Sequence, residues 1–280
     1  MELHPLTGSG KAVHLLYCDE TNLEERPGDF LIYGGITIDA SRALDLSKEI
    51  DEIRRRARVP KSFRLNVNPG PVGFSHDDFI TLKQAVLQAA QEYGVRLLVY
   101  MVLHNIAATP DEARRYGINT ICYHFNCILN RLNDSGLVLI DRFNDKEVDE
   151  QLVEKFSVGV CNMPYSDEIR LNNIVGFHYS AIGQSHLPSV VDIVLGALRF
   201  AVIRHTRGLD LNEKTARTLL GLLSPLFYRT FNGKVDEISL IFSPKEIRHA
   251  YYRRRYQELK DYLTASRIEA DQVITECRMY

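Results

Sequence analysis

Three aspartates in this sequence stand where an apolar element ought to continue. In HLLYCDETN, residues 14–22, the strand-like run Leu15-Leu16-Tyr17 meets Asp19 and Glu20. In GLVLIDRF, residues 136–143, Asp141 closes a second apolar run. In SVVDIVLGALRFAVI, residues 189–203, Asp192 interrupts a segment that is apolar almost all round, with Gly196 four residues on and Arg199 seven. A carboxylate left unpaired inside a protein is costly, so each of these must reach a surface turn, be neutralised or hold a metal. Carboxylate oxygens are the hard ligands that Mg²⁺ and Mn²⁺ prefer. Two such ions side by side can activate a water and stabilise the leaving oxygen of a phosphodiester. Asp19, Asp141 and Asp192 are therefore candidate metal ligands and catalytic residues, with Glu20 at the rim or as a further ligand. Each has a plainer reading too. An Asp at a strand end turns the chain or caps the next element. Asp192, early in its helix, is favoured there by the helix dipole or pairs with an arginine.

Fewer residues offer other chemistry. His178 and His186 flank the segment that leads to Asp192. Either could serve as a general acid or base, and either could equally be polar surface. Ser180 and Ser185 have no His/Asp spacing that marks a nucleophile, and no GxSxG or P-loop motif occurs. The most basic stretch is KEIRHAYYRRRYQELKDYL, residues 245–263, in which Arg253, Arg254 and Arg255 are interleaved with Tyr251, Tyr252, Tyr256 and Tyr262. Arginine with tyrosine suits contact with a nucleic-acid backbone and stacking on bases. The alternative is a solvated helix whose tyrosines pack on the domain.

The elements that must carry these residues follow from periodicity. Strands are expected over 12–19 and 29–39, the second rich in β-branched and aromatic residues, with a turn between them. In the first, Val13, Leu15, Tyr17 and Asp19 share one face while Glu20 points to the other. Leu137, Leu139 and Asp141 likewise share a face. Helices are expected over 41–57 and 75–93, separated by a proline- and glycine-rich loop over 59–74. Ser75 caps the second, with Asp78 three residues on. The unbroken apolar run VRLLVYMVL, 95–103, reads as a central strand covered on both faces. Beyond it come a helix over 110–132 entered at Thr109-Pro110, a strand over 136–143, a helix over 146–157 and a strand over 169–179. Pro188 opens a helix to about 205. A helix over 213–230, a strand over 236–242 and a helix over 244–265 complete the chain. This alternation is α/β, and the opening hairpin calls for a mixed sheet.

Composition narrows the field. The 280 residues are 45% hydrophobic and 25% charged with net charge −2, so a nucleic acid would have to be held by a local basic patch. Cys18, Cys122, Cys127, Cys161 and Cys277 are odd in number and form no CxxC, which predicts reduced thiols in a reducing compartment, neither a disulfide framework nor a zinc site. No apolar run approaches the roughly 20 residues of a membrane helix, and MELHPLTGSGKAVHLL lacks a signal-peptide pattern. A cytoplasmic protein is expected.

Taken in order, the motifs resemble the DUF3800 family, whose members have an RNase H-like (retroviral-integrase-like) fold. The resemblance lies in Tyr17-Cys18-Asp19-Glu20-Thr21-Asn22, then Tyr33-Gly34-Gly35-Ile36, then Ile140-Asp141-Arg142, then Val191-Asp192-Ile193-Val194-Leu195-Gly196. It spans about residues 12–205. It implies an RNase H-like domain over 1–207, with 208–280 as a helix-strand-helix extension packed on it and Gly208–Asn212 as the junction. It also implies a nuclease-like site dependent on Mg²⁺ or Mn²⁺, with Asp19, Asp141 and Asp192 at the acidic positions and DNA or RNA as substrate. The chain departs from the family pattern twice. KSFRLNVNPGP has no acid where relatives carry a Glu, and Ser189-Val190 stand where relatives tend to have a Gln. Glu20 or Asp145 could complete the ligand set. Otherwise the chain is a catalytically degenerate relative that binds nucleic acid or a partner protein. A structural protein that assembles through its C-terminal helices is the remaining alternative.

Overall fold

The computed structural model describes residues 11–276 apart from 23, 25, 61–62, 66–69, 142–145, 158, 164–165 and 211. The apolar runs form strands and the amphipathic ones helices, in the order β1 (Val13–Thr21), β2 (Phe30–Asp39), α1 (Ala40–Arg56), α2 (His76–Glu92), β3 (Arg96–Leu103), α3 (Pro110–Leu132), β4 (Ser135–Asp141), α4 (Lys146–Ser157), β5 (Val160–Met163), β6 (Ser166–Ile169), β7 (Ile174–Ser180), α5 (Leu187–Thr206), α6 (Glu213–Leu223), β8 (Leu240–Ser243) and α7 (Ala250–Thr264). The chain is α/β, with six strands in one mixed sheet of order β7-β4-β1-β2-β3-β8. The first three strands run antiparallel to one another as a meander, while β4, β7 and β8 join in parallel.

Local signals act where the sequence put them. The Ser75 hydroxyl accepts from the Asp78 N–H, and the Thr109 hydroxyl accepts from the Glu112 N–H ahead of Pro110. Such caps satisfy donors that the first turn leaves unpaired. Helices cover both faces of the sheet. α1, α2, α5, α6 and α7 pack on the side that carries Tyr17, Ile32 and Val99. α3 packs on the side that carries Leu16, Leu31 and Val138. β3 is therefore buried along nearly its whole length.

Four element bounds expected from the sequence are revised. A short hairpin, β5–β6, precedes β7, so the strand expected over 169–179 is two elements separated by a turn. The helix expected over 213–230 stops at Leu223, because Pro225 lacks the N–H a continuing helix needs. β8 occupies only Leu240–Ser243, and the last helix starts at Ala250, six residues after Pro244. The segment after Gly208 is built into the main body: β8 extends the sheet beside β3, and α6 and α7 share the core of α5. Cys18, Cys122 and Cys127 are free thiols. Cys277 lies outside the described residues, as does the side chain of Cys161. No helix among the described residues is long and apolar enough to cross a membrane.

Candidate acidic site

The site gathers at the C-terminal ends of β1 and β4. These two strands are parallel neighbours, and Cys18 stands opposite Ile140, so Asp19 and Asp141 follow side by side. Alternation along β1 sends Tyr17 and Asp19 toward α5, while Cys18 faces α3. On the far side of Asp19, β2 offers Gly34 as its cross-strand partner. A Cβ at Gly34 would come within 2.7 Å of the Leu98 carbonyl oxygen and 3.0 Å of the Leu195 side chain. A Cβ at Gly35 would come within 2.4 Å of the Tyr17 carbonyl oxygen. The glycine pair therefore exists to let α5 and the neighbouring strands close tightly over Asp19. Packing requires it, and no bulge interrupts the β1–β2 register.

α5 supplies the third acid. Asp192 is the sixth residue of this helix, past the first turn. The dipole explanation for it therefore fails, and among the described residues no ion pair joins it to an arginine. Its carboxyl meets that of Asp19 within hydrogen-bonding reach, and its Oδ2 is buried with no hydrogen-bond partner. Asp19, Asp141 and Asp192 line one narrow cavity of about 10 Å³, room for a single water-sized centre. Within it Asp19 and Asp192 form the close pair, and Asp141 contributes to the wall. Among the described residues, no three His, Cys, Asp or Glu side chains are grouped closely enough to hold a metal ion as placed.

Two carboxyls this close resist carrying two charges, and here Asp19 is the one that is perturbed. Burial, the hydrogen bond to Asp192 and the charges of Asp192 and Glu20 push the Asp19 carboxyl up to about 9. The Glu20 N–H, which donates to Asp19 Oδ1 at 2.8 Å, opposes the rise. Glu20 is raised as well, mainly by burial and further by the charge of Asp141, while Arg114 of α3 pulls it down. The nearest approach of Arg114 Nη1 to Glu20 is 3.8 Å, and Glu20 Oε2 is buried without a partner. Lys83 of α2 is a cation on the Asp192 side, with its ammonium 4.5 Å from the Phe79 ring centroid and held down to about 8 by burial.

The other candidates lie elsewhere. His178 is exposed on β7, the edge strand. His186 stands at the start of α5, with its Nε2 3.2 Å from Asp51 Oδ1. Neither lines the cavities around the acids. Asp145 lies outside the described residues. The arginines of α7 are largely occupied with the fold. Arg253 donates to the Ile247 and Arg248 carbonyls, and Arg255 donates to that of Thr206 at 3.0 Å and pairs with Glu258. Arg254 is exposed, with its guanidinium 3.7 Å from Glu258. Tyr256 is wholly buried, and its hydroxyl accepts from the Leu103 N–H and donates to the Ser243 carbonyl. The plainer reading of α7, a helix whose tyrosines pack on the domain, describes what Tyr256 and Tyr262 do.

Sequence reasoning passed over Lys83 and Arg114, two cations whose charges act on Asp192 and Glu20. The signal for each was slight: Lys83 is the one lysine of α2, and Arg114 is one of three arginines on α3. No family model, curated protein or solved structure matches this chain.

Proposed function

We propose that the chain is an RNase H-like protein of the DUF3800 type and a divalent-metal-dependent nuclease that cleaves phosphodiester bonds of DNA or RNA. The observation that carries this reading is the meeting of Asp19 and Asp192 beside Asp141 where two parallel strands end, with Asp192 Oδ2 buried and unpartnered. The strand order supports it: an antiparallel meander with β4 and β7 added in parallel beyond β1.

The donor set suits Mg²⁺ or Mn²⁺ in chemistry, since the three acids offer carboxylate oxygens, with the Ser180 hydroxyl beside them. Asp19 and Asp192 would hold the ion, Asp141 would complete the shell once its side chain turned toward them, and Glu20, drawn toward Arg114 on the other face, would stay at the rim. A bound ion would neutralise the acids, polarise the phosphate and lower the pKa of a water. Without it, Asp19 retains its proton and so keeps two charges from facing each other in the cleft. Arg114 holds Glu20 from the opposite face of the sheet.

Titration with Mn²⁺, followed by calorimetry and by water relaxation, tests the reading independently of substrate. Saturable binding that Asp19→Ala removes is expected, with Mn²⁺-dependent cleavage of single- or double-stranded DNA or RNA abolished by the same change. If no binding is detected even with nucleic acid present, the nuclease reading falls and the degenerate, non-catalytic alternative takes its place.

A further inference from the structure

Beside the cavity between the acids, and sharing Asp19 and Asp192 with it, lies a larger groove of about 580 Å³ walled by the end of β1 and by α2, α5 and α6, with Glu20 and Asp77 also on its wall. The face of α5 explains the groove. Asp192, Gly196 and Arg199, at i, i+4 and i+7, break an otherwise apolar helix, and all three line this groove. Spacing of that kind puts them in one row spanning about 10 Å along the axis. Gly196 leaves open space in the groove, because a Cβ there would meet nothing within 4 Å. Among the described residues, no hydrogen bond or ion pair holds the exposed guanidinium of Arg199. Lys83 faces the row from α2. Phe200 shows part of its ring to the groove, with Arg204 5.0 Å from the ring centroid.

We propose that this groove is a binding site for a single nucleic-acid strand, with a phosphate seated between Lys83 and Arg199 over Gly196 and a base against Phe200. The inference deepens the nuclease reading and rests on it for the direction of the strand, which would run past the Asp19–Asp192 pair. Size selects one strand. The groove has the volume of a small-ligand pocket, room for part of one strand and far too little for a duplex. The parts suit a single strand also: cations track its backbone, and an aromatic ring stacks on any base.

The experiment uses the full chain in an Asp19→Asn background without metal, which prevents cleavage and leaves the charge at that position unchanged, since the metal-free Asp19 carboxyl keeps its proton. Short fluorescent single strands of DNA and of RNA, and the matching duplexes, are titrated by anisotropy. Single strands are expected to bind roughly tenfold or more tightly than duplexes, in keeping with stacking and one-strand contact. The DNA and RNA arms show which sugar is preferred. Arg199→Ala should weaken strand binding and reduce the steepness of its salt dependence by about 0.7, the loss of one single-strand phosphate contact. Gly196→Leu should fill the groove and abolish binding while the protein melts no lower, because the new side chain enters open space. Equal affinity for duplex and strand overturns the proposal. So does unaltered binding by both variants, or no binding of any probe at about 100 µM, the weak end of nonspecific affinity. The two readings separate cleanly. Strand binding through the groove by a chain that never cuts defeats the nuclease and keeps the groove. Metal-dependent cutting that Gly196→Leu leaves intact does the reverse.

Discussion

Replacing Asp19 by Asn should make the metal-free protein more stable, and by an amount that depends on pH. In the folded chain this carboxyl is pushed up to about 9 from its ordinary 3.8. Below pH 4 it is protonated in both folded and unfolded chains and costs nothing. Above that the unfolded chain releases the proton while the folded chain keeps it until about pH 9. The folded state then binds more protons, so stability falls as pH rises through this window. At pH 7 the gap from the ordinary value is about 3 pH units, which sets a ceiling of about 4 kcal/mol. Asp19 is only half-buried, and water at the rim of the cleft reduces this to about 2 kcal/mol. Asparagine never carries the charge. Its carbonyl oxygen can still accept from the Glu20 N–H, and its amide can donate to Asp192. The assay is urea unfolding of both proteins in chelator from pH 4 to pH 8. The difference in unfolding free energy should be near zero at pH 4 and grow to about 2 kcal/mol in favour of Asn by pH 7. Adding Mn²⁺ should reverse the order, since an ion that binds the folded wild type alone stabilises it by mass action. A difference that stays flat with pH, or an Asn variant less stable at pH 7 in chelator, would refute the reasoning and make Asp19 a structural carboxylate.

Two further outcomes test the frame around the site. Gly35→Ala should cost more than about 2 kcal/mol in chemical denaturation, because its Cβ would meet the Tyr17 carbonyl oxygen at 2.4 Å on a strand that cannot move away. Asp29→Ala should cost about 3 kcal/mol by the same measurement, since Asp29 is 2% exposed and its carboxylate takes bonds from Thr206 and Arg207 at the end of α5.

Much of this arrangement was legible in the residues. Period-two alternation in β1 put Asp19 on the face of Leu15 and Tyr17, where the structure has it. The apolar run of β3 announced a strand covered on both sides, and Ser75 and Thr109 marked their helix starts to the residue. Failures came where a local signal was short or shared. The β5–β6 hairpin has four-residue strands, too brief for alternation to separate from a turn. On α7, consecutive arginines fan around the helix, and nothing in RRR tells that Arg255 is drawn inward to the Thr206 carbonyl beside a buried Tyr256.

What the sequence by itself determined, then, was that three carboxylates interrupt apolar elements and which face of each strand they take, because those facts depend on residue type and on backbone periods of two and 3.6. Only the tertiary structure decided their company. Asp192 could have capped a helix or met an arginine; packing of α5 over Gly34 set it against Asp19, some 170 residues away in the chain. Lys83 came near it because α2 leans on α5. Arg199, visible in the sequence only as a neighbour seven residues on, became one wall of a groove because α2 and α6 leave that side of α5 open. Charge and hydrophobicity are properties of single residues, but the cost of a buried charge depends on which groups from distant segments share its dry space.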